Sequence, residues 1–108
     1  MSLDIWLEQI TEPVTVFDAN ITHNLGRMAR EANIYDVLWR PEEHDISKAW
    51  QLIGPLSSAI EEMEKDPERF KKHDAPNGWG LYEHFLPWLK RLLDACEVYP
   101  GATIRTSV

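Results

Sequence analysis

Apolar and polar residues alternate near both ends of the chain, apolar residues recur at helical spacing between them, and proline or glycine marks most places where the period changes. This arrangement predicts an α+β fold, with a small, mostly antiparallel sheet of two N-terminal strands and one C-terminal strand packed on about three helices. At 108 residues, 44% apolar and 27% charged, the chain is expected to form a single compact domain over 1–108.

Each element has its own signal. Leu3, Ile5 and Leu7 alternate with Asp4, Trp6 and Glu8, so a strand with one buried face is expected at 2–8. Pro13 restarts the chain, and the β-branched and aromatic run Val14-Thr15-Val16-Phe17 predicts a second strand at 13–18, paired with the first as a hairpin. From Ile21 the period changes. Ile21, Leu25, Met28, Ala29 and Ala32 share one helical face, which predicts a helix from Ile21 to about Asn33 capped by Asn20 or Thr22. The opposite face would carry His23, Arg27 and Arg30. Ile34–Trp39 reads as a helical turn or bent segment closed by Arg40-Pro41. A second long helix is expected from Asp45 or Ser47 to about Lys65, with Pro55 kinking it, because the stripe Ala49, Leu52, Ile53, Leu56, Ile60 and Met63 continues through the proline. Pro67 opens a short turn to Lys72, and 73–78 has loop chemistry. The third long helix is expected from Trp79 to Val98, and Pro100-Gly101 precedes a last strand at 102–107 that should pair with one of the first two.

Charge narrows the function classes. Eleven Lys and Arg face 18 Asp and Glu, a net charge of −7, which opposes a phosphate backbone and argues against extended nucleic-acid or anionic-membrane binding. Imitation of DNA is disfavoured because Arg27, Arg30, Lys48 and the group Arg69, Lys71, Lys72 interrupt the carboxylates. Cys96 is the single cysteine, so no internal disulfide forms, and its place on an apolar stripe predicts a small buried hydrophobe. The opening Met1–Leu7 lacks a basic segment and a long apolar run, so a cytoplasmic location is expected.

Three segments carry chemistry. Asn20-Ile21-Thr22-His23-Asn24, with Arg27 a turn onward, sets hydrogen-bonding groups at an expected helix start, where an anion is favoured. The bland reading makes Asn20 and Thr22 caps and the basic residues a solvated face. In Leu38–Asp45, Trp39 and Arg40 offer flat stacking faces beside Glu42 and Glu43; the alternative is a core indole, a surface ion pair and first-turn acids. In Asn77–His84, Gly78 and Gly80 permit close backbone approach while Trp79 and Tyr82 supply rings, or else the segment is a turn with Trp79 in the core. His23, His44, His73 and His84 show no metal-ligand spacing, and phosphate-loop, dinucleotide and hydrolase signatures are lacking, so neither metal nor cofactor is expected.

The phrases NITHNLGRMAREANIYDVLWRPEE, DPERFKK, NGWGLYEHF and LLDACEVYPGA, with the opening MSLDIWL, resemble a family of small uncharacterised bacteriophage and prophage proteins. The resemblance spans nearly the whole chain. It implies a phage setting, with host cytoplasm as the location, and implies no activity. If its recurrent phrases mark a site, they fall on Asn20, His23 and Asn24, on Trp39 to Glu43, and on Asn77 to Tyr82. Asn33 stands where the family has Gly, and still suits a left-handed helix end. The leading expectation is a binding module in which the three segments converge on a small anionic or aromatic ligand, such as a nucleotide, with use against a host defence. The alternative is an acidic interaction or inhibitor protein that turns Glu61, Glu62, Glu64, Asp66 and Glu68 toward a host protein. An enzyme using His23 with Glu42 or Glu43 ranks last.

Overall fold

The computed structural model describes residues 2–9, 14–22, 25–74, 78 and 80–107. Three strands, β1 (Ser2–Gln9), β2 (Val14–Thr22) and β3 (Thr103–Ser107), form one antiparallel sheet in the order β2-β1-β3. Between β2 and β3 lie α1 (Gly26–Glu31), α2 (Tyr35–Trp39), a 3₁₀ turn (Pro41–His44), α3 (Trp50–Lys65), α4 (Pro67–Lys71) and α5 (Tyr82–Val98). The α+β class and small sheet are as expected; among the described residues the α-helices number five rather than about three, because α1, α2 and α4 are short separate turns. No helix among the described residues is long and apolar enough to cross a membrane.

The alternation in β1 fixes the sheet. Leu3, Ile5 and Leu7 are buried, and each meets an inward partner on β2, respectively Ile21, Ala19 and Phe17. Ile5 and Leu7 also face Thr106 and Ile104 on β3. On the outer face, Arg105 Nε donates to Glu8 Oε1 at 2.9 Å. The register shifts once, between Leu7 and Glu8, where Val16 is the extra residue of a bulge in β2. The outer edge of β3 is partly covered. Ile104 N–H donates to the Ser47 carbonyl at 2.8 Å and Ala49 N–H to the Ala102 carbonyl at 2.9 Å, satisfying backbone groups that an edge strand leaves open.

The expected helix beginning at Ile21 is corrected. β2 continues to Thr22 and α1 starts at Gly26, after Leu25 and with no side-chain cap, so Asn20 and Thr22 are strand residues. Ile21 matches the helical stripe only because it stands four residues before Leu25. Its strand position lets it cover Leu3, and full-length pairing with β1 outweighs local periodicity. The stripe from Leu25 through Met28, Ala29 and Ala32 is buried as expected. α1 ends in a Schellman arrangement: Asn33 is left-handed (φ 58), its N–H donates to Arg30, and the Ile34 N–H donates to Ala29.

α3 begins at Trp50 rather than at Asp45 or Ser47, because 47–49 bond to β3 and its approach instead. Gln51 braces the start, its Oε1 accepting from the N–H groups of Ser47 (2.8 Å) and Lys48 (2.9 Å). α5 likewise begins at Tyr82, three residues later than expected, where Asp74 Oδ1 accepts the Tyr82 N–H at 2.7 Å. Pro55 lies inside α3, as expected, and Pro87 lies inside α5. α3 and α5 run antiparallel: Trp50 N–H bonds to the Pro100 carbonyl at one end, and Tyr82 Oη donates to the Met63 carbonyl at 2.7 Å at the other. Between them and the sheet lies one continuous core containing Phe70, Phe85, Leu89, Leu92 and Cys96.

Burial pushes the Cys96 thiol up to about 12, which withholds the reactive thiolate at neutral pH. Cys96 is therefore expected to label with a bulky maleimide only as fast as the protein opens. Labelling at the rate of a free thiol under native conditions would contradict its core assignment.

Candidate functional site

The free edge of β2 meets the first half of α5. Successive positions on one face of that helix present His84, Trp88 and Arg91, which are four and three residues apart and so stack along one stripe. Trp88 is the anchor: its ring is buried against Phe85, 6.2 Å away between centroids, and its indole Nε1–H donates to the Asn20 carbonyl at 3.0 Å. This bond satisfies a backbone acceptor on an edge strand and fixes the separation of strand and helix. Asn20 is itself held across the sheet, Nδ2 donating to Asp4 Oδ1 at 2.6 Å.

A groove of about 520 Å³ lies there, lined by Asn20, Ile21, Leu25, Gly78, Gly80, His84, Trp88 and Arg91. Ile21, Leu25 and Trp88 give it an apolar floor. Gly78 (φ 78) and Gly80 (φ 112), just before α5, adopt backbone conformations that side chains disfavour, and both line the groove. The described lining contains no carboxylate. Arg91 is exposed and has no ion pair among the described residues, while His84, with its side chain 64% exposed, has Glu83 Oε1 no nearer than 3.9 Å. Within a chain of net charge −7 the groove is a locally cationic concavity.

Of the residues expected from sequence to form a site, Asn20 lines this groove, and the glycines beside Asn77 and Trp79 line it too. His23, Asn24, Asn77 and Trp79 lie outside the described residues. The remaining candidates sit elsewhere. Arg27 is exposed on α1, outside the described lining. Trp39 is 6% exposed and stacks on Tyr35 at 4.7 Å, with the Arg30 guanidinium 4.1 Å over the Tyr35 ring, so it is a core residue. Arg40 pairs with Glu43 at 3.1 Å on the surface, and Glu42 is exposed beside them. None of these five lines the groove. Tyr82 is buried, with its hydroxyl given to Met63 and held above the ordinary phenol range by burial, so it supports α5 from beneath. His84 and Arg91, flanking an apolar stripe, were the missed signal.

A second polar cluster ties α1 to α3 and α4. Arg69 Nη2 lies 3.1 Å from Glu62 Oε1, Arg69 Nε lies 3.4 Å from Glu31 Oε2, and His73 Nε2 lies 3.2 Å from Glu31 Oε1. The Arg69 Nε–H is buried without an aligned acceptor, so its contact with Glu31 is electrostatic rather than a hydrogen bond. Every charge here faces an opposite one, which makes the cluster a clamp. Similar pairing quiets the acidic run: Glu62 meets Arg69, Glu64 meets Lys90 at 2.9 Å, and Glu68 meets Lys71 at 3.9 Å. No group of three or more His, Cys, Asp or Glu residues is placed to hold a metal among the described residues. No family model, curated protein or solved structure matches the chain.

The hydrogen bond with His73 holds the Glu31 carboxyl below its ordinary value of 4.5, helped by Lys72 and Arg69 and opposed by partial burial. Its ionised form therefore stabilises the fold above pH 4.5, and that contribution is lost as the pH falls through the lowered value. Melting curves of the wild type and Glu31→Gln should differ at neutral pH and converge below that point; a gap that stays constant on acidification would exclude the clamp.

Proposed function

We propose that the protein is a small-ligand-binding module whose groove between β2 and α5 takes an anion carrying an apolar or aromatic part, a class that includes nucleotides. The observation that carries this reading is the placement of Arg91 and His84 above an apolar floor with no carboxylate in the described lining. An apolar moiety would lie against Ile21, Leu25 and the exposed margin of Trp88, while its phosphate or carboxylate would accept hydrogen bonds from the guanidinium, the more strongly because that donor is charged. The lining glycines carry no side chain that would keep a ligand from the backbone. The phage resemblance supplies the setting, use during infection against a host defence acting through a small nucleotide-like signal.

A calorimetric titration with a panel of nucleoside monophosphates and aromatic carboxylates tests the reading. Arg91→Ala should weaken binding by about 1.5–3 kcal/mol, the worth of a charge-assisted hydrogen bond, and leave the melting temperature nearly unchanged because the side chain is exposed. His84→Ala should act in the same direction. Arg40→Ala, on the far surface pair, should leave binding intact. Equal losses from Arg40→Ala and Arg91→Ala would move the site away from this groove.

A further inference from the structure

The two hydrogen-bond donors of the groove stand apart. His84 lies four residues before Trp88 on α5 and Arg91 three residues after it, so about 10.5 Å of helix rise, two turns, separates their positions. Side chains on a helix lean toward its N-terminus, so both lean the same way and the interval is kept. Trp88 is fixed between them: its ring is buried, Phe85 packs on it, and its indole N–H is given to the Asn20 carbonyl. Arg91 does not fold back over that ring, since no cation–π contact joins the two among the described residues.

The interval is apolar and its ends are not. Ile21 and Leu25 complete the floor around Trp88, while Asn20 has its carbonyl on Trp88 and its side-chain amide on Asp4. At the N-terminal end of α5, His84 shares the lining with Gly78 and Gly80, the glycines just before the helix. At the other end Arg91 supplies the guanidinium, whereas its neighbour Lys90 is held by Glu64 at 2.9 Å. Two carboxylates lie close by in sequence. Glu83 Oε1 stays 3.9 Å from His84 Nε2, and Asp94, one turn beyond Arg91, forms no ion pair with it among the described residues; neither belongs to the described lining.

We propose that the ligand of this groove is two-ended, an elongated molecule with an acidic group, carboxylate or phosphate, at each end of an apolar or planar middle. This rests on the reading of the groove as an anion site and adds the number and spacing of the acidic groups. One carboxylate or phosphate is much shorter than the interval, so it meets Arg91 or His84 and leaves the other to water. A molecule with two lays its middle over Trp88 and satisfies both, and the second charge-assisted hydrogen bond adds to affinity. The imidazole carries an N–H in either charge state, so it can donate to the second acid. A groove of about 520 Å³ is within the range of sites that hold a small molecule of this kind.

Calorimetry with matched probes tests this: biphenyl carboxylate against the biphenyl dicarboxylate with its acids at opposite ends, and benzoate against phthalate, whose two acids are adjacent. The wild type should bind the long diacid about tenfold more tightly than its monoacid, the worth of one further charge-assisted hydrogen bond, and phthalate no better than benzoate. His84→Ala, exposed and melting like the wild type, should cut the tenfold preference to about the twofold that the symmetry of the diacid alone provides, and weaken the monoacid much less. Arg40→Ala should keep the full preference. The proposal is overturned if the long diacid and its monoacid bind alike, if His84→Ala retains the preference, or if phthalate gains over benzoate as much as the long diacid gains over its monoacid. In each of these cases a monoacid affinity that falls with Arg91→Ala leaves the groove standing as an anion site. Monoacid binding indifferent to Arg91→Ala, or failure of every probe to bind, overturns both.

Discussion

The row Leu3, Ile5, Leu7 on β1 is the constraint from which the rest of the molecule follows. β1 is the middle strand, so its inward face is shared by both neighbours, and a slip of one residue in either pairing would turn all three side chains to solvent. Ile21, Ala19 and Phe17 on one side and Ile104 on the other complete the apolar face on which the core is built. The placement of Asn20 is a consequence. With Ile21 directed inward, Asn20 points outward on the open strand, and its carbonyl meets the Trp88 indole. The separation of β2 and α5, and hence the groove, is set by that sequence of dependencies.

β1, β3 and the bodies of α3 and α5 were legible because each keeps one period over several residues and buries the face the period marks. The errors fall where a distant partner decides. Ile21 fits both periods, and only pairing with Leu3 resolves which applies. Ser47 has the chemistry of a helix cap, yet its carbonyl accepts from Ile104, a bond that no local reading could supply. The site divides in the same way. Asn20 and the glycine-containing entrance to α5 were visible as concentrations of hydrogen-bonding and flexible residues. His84 and Arg91 were not, since a charged residue beside an apolar stripe gains meaning only once the strand edge it faces is known. Tyr82 offered the chemistry of a contact residue and is instead a beam under α5, its hydroxyl on Met63.

Intramolecular pairing, more than net charge, decides what the surface presents. The carboxylates most conspicuous in sequence, in the last turns of α3 and beside α4, are largely matched by Arg69, Lys90 and Lys71. Such exposed pairs add little stability each, but they remove charge from the outward field. Exposed groups without an ion pair among the described residues include Arg91 at the groove and Asp94, one turn further along the same helix.

The ion pair of Glu8 with Arg105 spans 97 residues, and the β1–β3 ladder it decorates closes the sheet over that same distance. In a nascent chain the residues of β1 and β2 are made before the helical segment, and the strand that covers β1's second edge follows α1 to α5. Until then a nascent chain holds Leu3, Ile5 and Leu7 beside an unpaired strand edge, the kind of surface that recruits chaperones or mispairs with neighbouring chains. Completion of this sheet thereby waits on its most distant pairing, in which the loss of β3 removes support from β1.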